Sequence, residues 1–237
     1  MEAKVVFNND SLNSKFNNGW GFSCLVDNSV LFDTGESADF LFNNIKRMDI
    51  DISGIDSVVI SHDHWDHIGG LRGLLKERKG IKVYSCPGFS EEFKEKVKGA
   101  QGLLKEVKKF TPITNDIYVS GEIAGRYKDS YIAEQALIIK SKQGLSVITG
   151  CSHPGILRII EKVKEEFPKE RIKFVFGGFH LMDKDRREVK LIVEKFKSMG
   201  IEKAGPTHCT GYEAQAVFKE AYGNNFIPIK AGQTLNV

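Results

Sequence analysis

No stretch of this 237-residue chain approaches the roughly 18 consecutive apolar residues of a bilayer-spanning helix, so no membrane partner is expected. Cysteine is sparse: Cys24, Cys86, Cys151 and Cys209 lie far apart, with no C-x-x-C pair. That spacing excludes a zinc ribbon and a disulfide scaffold. Neither sign of charge is in excess, since 34 Lys and Arg against 31 Asp and Glu leave +3. Such a balance describes an ordinary soluble surface and gives no reason to expect nucleic acid. Met1-Glu2-Ala3-Lys4 runs straight into Val5-Val6-Phe7 without an apolar leader or a cleavage site, and a cytoplasmic location is expected. No P-loop and no G-x-G-x-x-G precedes a helix, so a nucleotide cradle is not anticipated. Histidine is scarce too. There are six, none before His62, and His62, His64 and His67 share one six-residue window.

Short β-branched runs alternate with amphipathic stretches. Strands are predicted at Lys4–Phe7, Phe22–Val26, Val30–Phe32, Ser57–Ser61, Lys82–Ser85, Ile117–Ser120, Ala136–Lys140, Leu145–Thr149, Lys173–Phe176, Lys203–Pro206 and near Phe226–Ile229. Helices are predicted at Ala38–Met48, Gly69–Lys79, Glu91–Lys98, Ile156–Phe167, Lys184–Met199 and Glu213–Tyr222. Hairpin strands followed by β-α alternation, repeated once, point to α/β layers in one domain, 1–237, of two similar halves. The halves are expected to meet around Tyr127–Glu134, and Ser141–Gly144 to form a tight turn. Asn8–Gly19, rich in Asn and Ser, reads as a mobile surface loop. Phe16 and Trp20 beside it are expected to fold back against the sheet edge rather than line a pocket.

The chemistry concentrates after the run Ser57-Val58-Val59-Ile60-Ser61. His62-Asp63-His64-Trp65-Asp66-His67 follows it, then Gly69-Gly70 and a helix. Open α/β sheets place ligands at such carboxyl ends. His62 and His64 flank Asp63 and can point to one side, while Asp66 and His67 follow where the chain turns. Imidazole and carboxylate together suit zinc, iron or manganese. A polar helix cap with solvated histidines is the competing reading, and it accounts poorly for three histidines beside a carboxylate. The other histidines, His153, His180 and His208, each follow a strand-like run.

H-x-H-x-D-H after an apolar strand, with Gly-Gly and a helix behind it, resembles the metallo-β-lactamase fold over essentially the whole chain. The resemblance implies a four-layer αββα sandwich. It also implies two metal positions, His62 and His64 with His153, and Asp66 and His67 with His208. Leu31-Phe32-Asp33-Thr34-Gly35 matches the family's early Asp-x-Gly element, whose Asp supports the metal loop from behind. Asp33 as a simple turn carboxylate is the alternative. One departure stands out: where most two-metal members carry a bridging Asp, this chain has Gly150-Cys151-Ser152-His153. Cys151 is a candidate ligand or support, and His180 a reserve ligand or a donor to substrate. Gly150–Ile156, Gly177–Leu181 and Pro206–Gly211 resemble one branch of the fold. Its members include an archaeal dihydropterin synthase and relatives called metal-dependent hydrolases.

The resemblance implies a metal-dependent hydrolase in which divalent metal, two zinc ions or else manganese or iron, activates a hydroxide. Asp66 would both bind metal and orient that water. The expected substrate is a small molecule, phosphorylated or pterin-like. Two alternatives are a transferase of the dihydropterin-synthase type and a metal-binding protein without turnover. Nucleic acid is not expected, because the inserted domain of the nucleic-acid-cleaving members is missing. Ser152, beside Cys151 and His153, lacks an orienting carboxylate at plausible spacing, so nucleophilic catalysis there is not expected.

Overall fold

Alternating apolar runs and amphipathic stretches fold into a mixed α/β chain, described here for residues 1–237 from a computed structural model. The first elements are β1 (Glu2–Phe7), β2 (Ser23–Val26), β3 (Val30–Phe32), α1 (Ala38–Arg47), β4 (Ser57–Val59), α2 (Trp65–Ile68), α3 (Leu71–Glu77), β5 (Lys82–Ser85), α4 (Glu91–Gly99) and β6 (Leu103–Glu106). Next come β7 (Thr111–Pro112), β8 (Ile117–Val119), β9 (Ile123–Tyr127), β10 (Ser130–Glu134), β11 (Leu137–Ser141) and β12 (Gly144–Thr149). The chain ends with α5 (Ile156–Glu166), β13 (Ile172–Gly178), α6 (Arg186–Ser198), β14 (Lys203–Thr207), α7 (Tyr212–Tyr222) and β15 (Thr234–Asn236). Two compact units result, Met1–Lys109 with Lys230–Asn236, and Phe110–Ile229.

The first unit carries a seven-stranded sheet in the order β15-β1-β2-β3-β4-β5-β6. The β2–β3 hairpin turns at Asp27 and Asn28, both in the left-handed region that a two-residue turn requires. From β3 to β6 the strands run parallel, so their carboxyl ends share one edge. That edge receives both Asp33 and the His62–His67 loop. Helix α1 buries Leu41 and Ile45, and its buried Asn44 ties down the early polar loop. Asn44 Nδ2 donates to the carbonyls of Val6 (2.8 Å) and Asn17 (2.7 Å), and its Oδ1 accepts from Asn17 N. The loop expected to be mobile is therefore pinned at its base. Phe16 covers Gly232 as expected, whereas Trp20 stays 39% exposed.

The second unit carries a six-stranded sheet, β14-β13-β12-β11-β8-β7, and a separate ribbon of β9 and β10. Strands β12, β13 and β14 are parallel, which again collects three strand ends on one edge. Helices α5, α6 and α7 bury Ile159, Ile160, Val193 and Val217 against Val147 and Val175. Phe179, Phe196 and Phe218 pack at centroid separations of 5.3–5.5 Å. Each such buried side chain contributes about 1.5–3 kcal/mol.

Three sequence expectations change. Residues 127–134 do not separate the halves; they belong to the β9–β10 hairpin, and the division falls between Lys109 and Phe110. Near Phe226 only a single bridge to Ala204 forms: Ile227 N donates to the Ala204 carbonyl, but Pro206 on β14 has no N–H to make the next rung; the last strand of the chain is β15, paired with β1. The helix expected over Gly69–Lys79 begins earlier and is broken at Gly69-Gly70. A Cβ at Gly69 would run into the Glu36 carbonyl, so these glycines let the Asp33–Glu36 loop press against the histidine loop.

Candidate metal centre

In the first unit, β3 ends at Asp33, whose backbone is left-handed (φ 55°) and whose carboxylate is fully buried. Its Oδ1 accepts from Ser61 N at 2.7 Å; its Oδ2 accepts from Ser61 Oγ at 2.7 Å and meets His67 Nδ1 at 2.6 Å. Ser61 has one hydroxyl proton and gives it to Asp33. The 2.9 Å contact between Ser61 Oγ and His62 Nδ1 must then carry the imidazole proton. Both His62 and His67 are thereby held with Nδ1 protonated, which assigns Nε2 as the side that faces a cation. Their rings lie 4.2 Å apart, and His62 and His64 lie 4.7 Å apart. Asp66 Oδ2 is 3.5 Å from His67 Nε2. Burial opposes a charge on His67, but the carboxylates of Asp33 and Asp66 outweigh it and raise the imidazole to about 10. Surroundings that draw a proton so strongly suit a divalent cation equally well. Thr34 N and Oγ1 both donate to the His67 carbonyl, which fixes the loop from the same Asp-Thr-Gly segment.

In the second unit, β12 ends in Gly150-Cys151-Ser152-His153. A buried carboxylate on β10 receives this loop: Glu134 accepts from the backbone N–H of Cys151 (3.0 Å), Ser152 (2.7 Å) and His153 (2.6 Å). Burial pushes Glu134 up, to about 7, against the pull of those three donors. Ser152 Oγ donates to the Gly178 carbonyl at 2.6 Å and ties the loop to the end of β13. His180 follows β13, its ring 4.5 Å from that of His153. Candidate ligand atoms of Cys151, His153 and His180 all lie within 4.8 Å of one another. His208 follows β14 and is buried; Cys209 beside it donates from Sγ to the Cys151 carbonyl at 3.4 Å. A hydrogen bond with Cys209 raises His180 against its burial. Cys209 is itself held well below an ordinary thiol: burial opposes this, and Cys151, His208 and His180 overcome it.

Ser152, His180 and His208 all adopt left-handed backbone, with φ of 66°, 52° and 53°. Each such residue costs on the order of 1–3 kcal/mol and persists only where its surroundings impose it. Four non-glycine residues in this conformation, with Asp33, fall at the candidate strand ends. The donor sets fit a metal on two observations: three imidazoles and the Asp66 carboxylate gather on the first unit's loop while two imidazoles and the Cys151 sulfur gather in the second, and His180 Nδ1 is buried with no hydrogen-bond partner.

The first unit thus brings together His62, His64, Asp66, His67 and the supporting Asp33. The second brings together Cys151, His153 and His180, with His208 one residue from Cys209. Sequence reasoning missed Ser61, Glu134 and Cys209. Ser61 was readable as a hydroxyl directly before the first histidine; Glu134 lies 17 residues before Cys151 and carries no local signal.

Histidine-rich strand ends on mixed α/β units define the class of protein, and the chain belongs to the metallo-β-lactamase superfamily. The family model of that description matches residues 24–141. A solved structure, described as a metal-dependent hydrolase of the beta-lactamase superfamily, is 34% identical with a TM-score of 0.84, over 100% of this chain and 99% of that one. The 7,8-dihydropterin-6-methyl-4-(beta-D-ribofuranosyl)-aminobenzene-5'-phosphate synthase of Methanocaldococcus jannaschii is 29% identical over 94% of this chain and 92% of its own length. The metallo-beta-lactamase fold protein YhfI from Bacillus subtilis shares the fold, at 14% identity and a TM-score of 0.70, over 99% of this chain and 98% of that one.

Proposed function

We propose that this protein is a metal-dependent hydrolase acting on a small phosphoester, diphosphate or related substrate, with residues 1–237 working as one domain. The observation that carries the reading is the Asp33–Ser61 network, which engages Nδ1 of His62 and His67 and so presents Nε2 of each as the ligand atom, with Asp66 Oδ2 3.5 Å from His67 Nε2. The ligand assignment is His62 and His64 with His153, and Asp66 and His67 with His208. Cys151 takes the place where relatives use a bridging carboxylate. This mixture of donors favours two zinc ions over manganese or iron. Bound divalent metal supplies an acidified water and offsets negative charge at the reacting centre.

The chain's own residues do the rest. Asp66 accepts a hydrogen bond from the attacking water and orients it. Asp33 fixes the His67 ring, and Glu134 fixes the loop that carries Cys151 and His153. His180, raised by Cys209, donates a proton to the leaving oxygen. No helix is long and apolar enough to cross a membrane, and the four buried cysteines are free, which supports a reducing, cytoplasmic setting.

Metal analysis together with phosphodiester and phosphomonoester hydrolysis, on wild type and His67→Ala, tests the reading. Wild type should hold metal in stoichiometric amount; the variant should lose it and more than ~100-fold of kcat/KM, beyond the loss typical of an outer contact. Full activity in a metal-free preparation would sink the proposal. The near full-length match to the archaeal synthase favours one second reading, a transferase joining a pterin methyl diphosphate to an aryl amine. Product formation from that pair would select it, and a metal-replete protein inert to every such substrate would leave metal binding alone.

A further inference from the structure

The β9–β10 ribbon belongs to neither large sheet, and a two-stranded hairpin alone is marginally stable. Its anchors all lead to the loop that carries His153. Glu134, at the end of β10, gathers the three N–H groups of Cys151, Ser152 and His153. Gly125 has no Cβ, and one there would sit 2.8 Å from both the His153 carbonyl carbon and Pro154 N. Arg158 of α5 donates to the Ala124 carbonyl at 3.0 Å. The ribbon is therefore fixed to the histidine loop along its length.

Strand alternation divides the ribbon into two faces. Ile123, Gly125, Ile132 and Glu134 face inward and are buried, while Ala124, Arg126 and Tyr131 face outward and are exposed. Tyr127 continues the inward face yet is 37% exposed. Its ring meets His153 edge-to-face at 5.2 Å and His180 at 6.2 Å, and Lys128 Nζ stands 5.3 Å from its centroid. Lys128 and Asp129 form the turn with φ of 46° and 64°, a conformation usually left to Asn and Gly. The tip thus holds a half-open aromatic ring beside two imidazoles, with an ammonium group next to that ring, at a cost in backbone strain.

We propose that this tip is the substrate-recognition element of the site: Tyr127 receives an aromatic or heteroaromatic ring, and Lys128 receives an anionic group carried with it. The inference rests on the metal-site reading above and adds the class of substrate. A stacked ring adds roughly tenfold or more to affinity, by analogy with base–aromatic contacts.

Calorimetric titration of the zinc-loaded full-length protein with phenylphosphonate and methylphosphonate separates ring from anion. Wild type should bind phenylphosphonate about tenfold more tightly. Tyr127→Ala and Tyr127→Leu, the second keeping bulk should the first fail to fold, should equalise the two ligands at unchanged metal content. Tyr127→Phe should keep the preference, and Lys128→Ala should weaken both ligands. Tyr131→Ala, on the outward face, should change neither. Equal affinity of the two ligands for wild type, or a preference surviving Tyr127→Leu, would overturn the inference and leave the metal site standing. Failure of wild type to bind either ligand would overturn the anion-binding metal site itself.

Discussion

Asp33 is one buried carboxylate that serves two histidines, one directly and one through Ser61. Asp33→Asn keeps the size, and Asn tolerates the left-handed backbone at this position, so the substitution isolates the charge. It should lower metal affinity about 10–100-fold, as loss of such supporting contacts does, read by competition with a chromophoric chelator. Unchanged affinity would mean that ring orientation is set elsewhere. Glu134 offers a second single-residue test. Glu134→Gln presents an NH2 group to a backbone N–H where the carboxylate accepted three. The variant should lose about 1–3 kcal/mol in urea unfolding. Glu134→Asp should recover part of it, because the acceptor survives at shorter reach.

Glycines separate two kinds of backbone requirement among the elements. Gly69 lies where the histidine loop presses on Glu36, so Gly69→Ala forces the two segments apart. A loss of about 1–3 kcal/mol together with weakened metal binding is expected, since overpacking here displaces the ligand loop. Gly99 closes α4 with open space around it and no positive φ. Gly99→Ala should therefore stabilise by about 0.4–1 kcal/mol and leave metal binding alone, because alanine restricts the unfolded chain more than glycine does. Differential scanning calorimetry paired with metal titration reads both effects, and a destabilised Gly99→Ala would contradict the open environment. The same scale shows why some elements escaped prediction. Strand β6, Leu103-Leu104-Lys105-Glu106, is an exposed edge without alternation, and β9 contains Gly125 and Arg126. Neither carries a period-2 apolar pattern; pairing with a neighbour makes each a strand.

For the molecule as a whole, any metal held by the native donors and not by the unfolded chain must stabilise the fold. Metal at about 100 times its dissociation constant contributes about 2.7 kcal/mol. Zinc should accordingly raise the melting temperature of metal-stripped protein, and His67→Ala should blunt the shift. A melting temperature indifferent to zinc would argue against resident metal.

The H-x-H-x-D-H loop was legible because its donors are neighbours in sequence, at the end of a run whose β-branched residues announce a strand. The later histidines were legible for the same local reason. Most regular elements were too, since buried strands and amphipathic helices write their periodicity into the chain. Four properties needed the tertiary structure: the proton positions on His62 and His67, the carboxylate behind Cys151–His153, the Cys209–His180 contact and the hairpin at residues 123–134. Each joins residues 17 or more positions apart or depends on strand register, and only packing decides which distant groups meet inside a low-dielectric interior. Sequence alone singled out the histidines and Asp66 as candidate donors; tertiary structure decided which way each is turned and which groups stand behind it, because a ring's tautomer and a loop's left-handed backbone are imposed by partners that local sequence does not name.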